Sequence, residues 1–165
     1  GVNKSANGYR LPTESEWAWV ARYANKDSKN INRFAWGNNS KVKKGFGNLA
    51  GEEVKNLNND FIKNYTDRFQ KLSPVGSFKP SKSGIYDLTG NAHEWTHDFY
   101  ELLSFDISKG INELDRIGPN SGSGHVIRGS SWRSSSLTEL RLTFRDKAID
   151  GEDDISFRLA RWIGE

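Results

Sequence analysis

The chain has 165 residues, a formal charge of +3 and a pI near 9.1, with no cysteine and no methionine. Zero cysteine excludes disulfides, thiolate zinc sites, iron–sulfur clusters and cysteine nucleophiles. Lys and Arg are dispersed among Asp and Glu, which argues against a nucleic-acid stripe, and no run approaches the roughly 18 apolar residues of a membrane helix.

The length predicts one domain over residues 1–165. A chain that starts with Gly1 rather than Met is expected to be processed or part of a longer protein. The aromatic content (six Trp, nine Phe, five Tyr) predicts an ordered aromatic core with much loop around it.

Thr13-Glu14-Ser15-Glu16 is a capping-box pattern, with Thr13 as N-cap and Glu16 reaching back to it. Trp17, Val20, Ala21 and Ala24 follow at helical spacing, so a helix is predicted over 13–25. From Asn25 to Ser83 no periodicity appears. A stretch of that length in a compact domain has to be held by something specific, and a bound metal is one candidate. Ser83–Leu88 reads as a short strand. Gly90–Leu103 mixes aromatics with Glu and Asp, and a short helix is expected at Lys109–Leu114 within a polar excursion. His125–Arg128, Leu140–Arg145 and Ser156–Trp162 have β-type composition and are predicted as strands.

Four ordered blocks resemble one family. They are Tyr9-Arg10-Leu11-Pro12-Thr13-Glu14-Ser15-Glu16-Trp17, then Phe34-Ala35-Trp36-Gly37-Asn38. Pro74-Val75-Gly76-Ser77-Phe78 follows, with Gly84-Ile85-Tyr86-Asp87-Leu88-Thr89-Gly90-Asn91-Ala92-His93-Glu94-Trp95. The last pairs Val126-Ile127-Arg128-Gly129-Ser130-Ser131-Trp132 with Phe157-Arg158-Leu159. They are similar to the motifs of the formylglycine-generating enzyme, or sulfatase-modifying factor, family. The resemblance implies an α+β, C-type-lectin-like fold, loop-rich, with few short strands and one clear N-terminal helix. It also implies that the family's N-terminal portion is absent, and that the source is bacterial.

Members of that family hold their loops with calcium, a hard cation that takes oxygen ligands. By resemblance, Asn48 and Asp67 would supply side chains, and Leu49 and Phe69 carbonyls. A second site would use Asn91 and Glu94. The alternative is that these are ordinary turn residues, which Asn and Asp commonly are. Catalytic members use a copper-binding cysteine pair just after the block ending at Trp132. Here that segment runs Trp132-Arg133-Ser134-Ser135-Ser136-Leu137-Thr138-Glu139, without a thiol. Serine hydroxyls do not replace thiolates for Cu(I), so neither copper nor formylglycine synthesis is expected.

The chain therefore resembles a cysteine-free branch. The expectation is a calcium-stabilised ligand- or protein-binding module attached to other domains of its polypeptide. Its groove is expected at Trp132, Arg133, Ser134, Ser135 and Ser136, with Arg128. The alternative is an oxidoreductase domain resembling the non-heme-iron sulfoxide synthases or siderophore-modifying members, with metal ligands from outside this chain. The compartment stays open between bacterial cytoplasm and periplasm or envelope.

His93-Glu94-Trp95-Thr96-His97 also fits H-E-x-x-H, the zinc-protease signature, if it lies on a helix. Gly90-Asn91 starts such a helix poorly, and no third ligand follows at the required spacing. His93 is better read as replacing an aromatic of the family frame. The Arg residues of the last third pair with nearby acids in the simpler reading, although Arg128 or Arg158 could also face an acidic ligand. His125 is a candidate base, but the serines around it have no other sign of activation.

Overall fold

A computed structural model describes residues 7–23, 31–57, 59–102 and 118–162. The capping box forms as its spacing requires. Glu16 N–H donates to Thr13 Oγ1 at 3.1 Å, and Thr13 N–H donates to the Glu16 carboxylate at 2.8 Å. Helix α1 runs Glu14–Tyr23. Its Trp17 and Ala21 are buried with Leu88 and Leu142 in one core cluster. Arg10 lays its two terminal guanidinium nitrogens on Glu16, at 2.6 and 2.7 Å, and so fixes the approach to the helix.

Four strands follow: β1 His93–Phe99, β2 His125–Arg128, β3 Arg145–Ala148 and β4 Ile155–Phe157. They form one mixed sheet in the order β3-β2-β1-β4, antiparallel except where β4 runs parallel to β1. Beyond β4 the chain makes an isolated antiparallel bridge between Ala160 and Arg10. Among the described residues no helix is long and apolar enough to cross a membrane.

The long aperiodic stretch has its own aromatic core. Phe34, Trp36, Leu49, Tyr65 and Leu140 form a second buried cluster, and the Phe34 and Trp36 rings stack 4.9 Å apart within 2° of parallel. Aromatic burial therefore supplies part of the restraint that the missing periodicity demanded. A short 3-10 turn at Glu52–Val54 is the one helical element in it among the described residues.

Several predicted elements differ. Ser83–Leu88 is a turn, closed by Gly84 N–H to Ser81 O and by Ser81 N–H to Ile85 O, with Gly84 and Asp87 at positive φ. Leu140–Arg145 is not a strand before Arg145. Leu140 N–H donates to Ser136 O and Phe144 N–H to Arg141 O, as in successive turns. The carbonyls of Leu142, Thr143 and Phe144, which a strand would offer to a neighbour, are taken by the Arg128 guanidinium. The predicted strand at Ser156–Trp162 shrinks to Ile155–Phe157 plus the Ala160 bridge. The predicted helix at Lys109–Leu114 lies outside the described residues.

The H-E-x-x-H segment is strand β1, which removes the protease reading. Four strand steps carry His97 about 13 Å from His93, too far for one zinc ion. Their surroundings agree: His93 Nδ1 lies 2.9 Å from Gly129 O, and His125 Nδ1 lies 3.1 Å from His97 O.

Candidate functional site

Asn48 is fully buried at the start of the second core cluster's loop. Its amide nitrogen donates to Lys71 O at 2.7 Å and to Asn91 Oδ1 at 3.2 Å, and its Oδ1 has no partner among the described residues. Asp67 comes back to the same loop. Its carboxylate accepts from Leu49 N–H at 2.7 Å and from Phe69 N–H at 2.9 Å. Arg68 between them sits at φ 80°, which lets the Asp67–Phe69 turn fold back on itself.

Sequence reading missed Glu53, whose two buried carboxylate oxygens receive no N–H donor among the described residues. Glu53 lies against Asp67. Burial pushes the Asp67 carboxyl up to about 6, the two backbone N–H bonds oppose that, and the Glu53 charge adds to it. Room for the Glu53 carboxylate exists because residue 51 is Gly. A Cβ there would lie 2.7 Å from Glu53 Oε1 and 2.7 Å from Tyr65 O. Two adjoining buried carboxylates and an orphaned amide oxygen are a hard, anionic donor set, which suits an alkaline-earth cation. Among the described residues no three His, Cys, Asp or Glu side chains gather, so such a cation would also draw on amide and carbonyl oxygens.

The second predicted pair is committed elsewhere. Asn91 Oδ1 accepts from Ser73 N–H, Ser73 Oγ and Asn48. Both Glu94 oxygens are engaged by the Arg158 guanidinium, and one also accepts the Trp17 indole N–H at 2.7 Å. Asn91, at φ 70°, and Glu94 are thus ties between loops and sheet.

The predicted groove divides in the same way. Trp132 and Arg133 line a cavity of about 380 Å³, together with Ala50, Val54, Leu57, Gln70 and Lys71 from the long loop. Arg133 Cζ lies 4.7 Å from the centre of the Trp132 ring and Lys71 Nζ 5.9 Å from it. Asp153 pairs with both cations. The other predicted groove residues do not line it. Ser134 is buried, with Oγ accepting from Ser131 N–H, while Ser136 Oγ accepts from Glu139 N–H. Ser135 is half-buried next to it. Arg128 is 4 % exposed and points inward to three carbonyls, with Glu14 at 3.7 Å. Burial lowers its pKa to about 10, the Glu14 charge opposing and Arg145 adding to that effect. The apolar pair Val54 and Leu57 in an otherwise polar run was the available sign of the cavity's far wall.

The cavity and the oxygen cluster are joined. Ala50 N–H donates to Ser134 O at 3.1 Å, so the loop carrying Asn48 and Leu49 is tied to the turn carrying Trp132.

Among the described residues one α-helix, a small mixed sheet and long loops pinned by buried Asn and Asp side chains define an α+β, loop-rich domain of the formylglycine-generating-enzyme type. The chain belongs to that family: residues 2–163 match the model of the sulfatase-modifying factor enzyme 1-like domain. It is 32% identical over 128 residues to the formylglycine-generating enzyme of Mus musculus, covering 76% of this chain and 30% of that protein. It is 31% identical over 165 residues to the inactive C-alpha-formylglycine-generating enzyme 2 of Bos taurus, covering 95% and 45%. Among solved structures, Treponema denticola variable protein 1 superposes with a TM-score of 0.69 at 27% identity, covering 97% of this chain and 50% of that one. The chain thus spans less than half the length of these two curated relatives.

Proposed function

We propose that the chain is a non-catalytic, calcium-stabilised ligand-binding module that uses the cavity over Trp132. The observation that carries this reading is the junction just described, in which the Asn48–Glu53 loop forms both the oxygen cluster and one wall of the cavity. The absence of cysteine supports it, because copper-thiolate chemistry requires thiols. Asn48 and Asp67 would hold the cation by their side chains, Leu49 and Phe69 by their carbonyls, and Glu53 would supply a second negative charge. The cation would relieve the repulsion between Glu53 and Asp67 and fix both loops. The module would act alongside other domains of its polypeptide.

Thermal unfolding with calcium and with a chelator tests the cation. At a hundred-fold excess over Kd, a native-state ligand adds about 2.7 kcal/mol, which for a domain of this size raises Tm by about 5–10 °C. Identical melting would overturn the calcium assignment. Metal analysis of the full-length protein tests the class. Stoichiometric iron or copper would overturn the binding-module reading in favour of an oxidoreductase whose ligands lie outside this chain.

A further inference from the structure

The cavity over Trp132 has a chemistry of its own. Its long-loop wall presents Ala50, Val54 and Leu57, all aliphatic, and Trp132 closes the other side. Lys71 and Arg133 stand over the indole, and one carboxylate, Asp153, serves both: Lys71 Nζ is 3.9 Å from it, and Arg133 donates to its other oxygen. Two cations sharing one anion leave a formal surplus of one positive charge at the rim. The Trp132 indole N–H is buried and has no acceptor among the described residues. It is a further donor that the protein does not satisfy. At about 380 Å³ the space lies near the lower end for small-molecule sites.

We infer that this cavity binds a small organic anion: a carboxylate on a flat, apolar body, with the body on Trp132 and the carboxylate between Lys71 and Arg133. This rests on the binding-module reading and gives it a ligand class. Asp153 holds the anion position between the two cations, and an incoming carboxylate competes with it for both. An aromatic body stacks on the indole beside the guanidinium, since flat groups pack well on an indole face. A neutral ligand of the same shape would gain the apolar contact and lose the charge pairing.

The probe pair is naphthalene-2-carboxylate and naphthalene-2-carboxamide, titrated calorimetrically at low salt with calcium present. The acid is expected to bind about tenfold tighter than the amide. Arg133→Gln and Lys71→Gln should each weaken the acid several-fold and leave the amide unchanged, and unchanged amide binding shows that the fold survives. Asp153→Asn should tighten the acid and not the amide, because it removes the competitor. Equal affinities for acid and amide would overturn the anion assignment while leaving the module reading intact. No binding of either probe, or weaker acid binding by Asp153→Asn, would also overturn it. The module reading itself falls only on the metal analysis above.

Discussion

The Trp17 indole N–H donates to the Glu94 carboxylate at 2.7 Å, joining the middle of α1 to the buried face of β1 across 77 residues. Glu94 is 7 % exposed and also carries the Arg158 guanidinium from just beyond β4. Three elements therefore meet on one carboxylate.

Trp17→Phe removes the donor and the pyrrole half of a fully buried indole, and should cost about 3–4 kcal/mol, the lost packing adding to the lost hydrogen bond. Glu94→Gln breaks the ion pair and leaves Arg158 without its counter-charge. It should cost about 2–3 kcal/mol, below the range for a fully buried pair because the Arg158 side chain is 26% exposed. Urea unfolding of the two variants checks the order: Trp17→Phe must be the more harmful.

Asp67 gives a pH dependence in the calcium-free protein. Its native pKa, about 6, lies above the unfolded value of about 3.9. Between those values the native state holds a proton that the unfolded state has lost. This contribution is therefore fully present below about pH 4, declines as pH rises to about 6, and is level above that. In chelator, the wild type should lose on the order of 2 kcal/mol relative to Asp67→Asn across that window. Calcium requires the ionised carboxylate, so its affinity should rise with pH over the same interval. Denaturant unfolding at several pH values reads the first, and calcium titration the second.

Gly84 and Gly90 share nearly the same φ, 76° and 75°, but differ in surroundings. A Cβ at Gly84 meets nothing within 4 Å, whereas at Gly90 it would lie 2.1 Å from Asn48 O. Gly84→Ala should cost about 1–2 kcal/mol, the left-handed backbone penalty alone. Gly90→Ala should cost several kcal/mol more, since backbone cannot yield as a flexible side-chain tip does, and soluble yield will show it first.

Arg128→Lys retains the charge and loses the planar fork that reaches the carbonyls of Leu142, Thr143 and Phe144. A cost of about 2 kcal/mol is expected from the unsatisfied carbonyls. Hydrogen exchange should accelerate at residues 140–145 before it does so in β1. Uniform acceleration would mean that Arg128 acts on the whole fold rather than on this segment.

Helix α1 was legible because its capping box and helical apolar spacing agree. The sheet was harder. In β1 the buried face carries Glu94, Thr96 and Asp98, while His93, Trp95, His97 and Phe99 are half-buried. The usual polarity is inverted, because polar side chains point inward to receive partners from α1 and other segments. Alternation in Leu140–Arg145 misled for the opposite reason: Leu140 and Leu142 are buried in different clusters, and an arginine rather than a strand takes the carbonyls. At the candidate site, Trp132 and Arg133 were readable from their block. Glu53 and Lys71 were not, because acids and lysines in a polar run carry no local sign of what the fold brings against them.

The parallel pairing of β4 with β1 bridges about sixty residues, and the Arg10–Ala160 bridge spans 150. Arg10, next to the helix, is held by backbone bonds that cannot form until Ala160 has left the ribosome. Closing loops of that length is entropically costly before any contact repays it, so assembly should be slow. A nascent chain stalled before Ile155 exposes one edge of β1, which is a route to aggregation during synthesis.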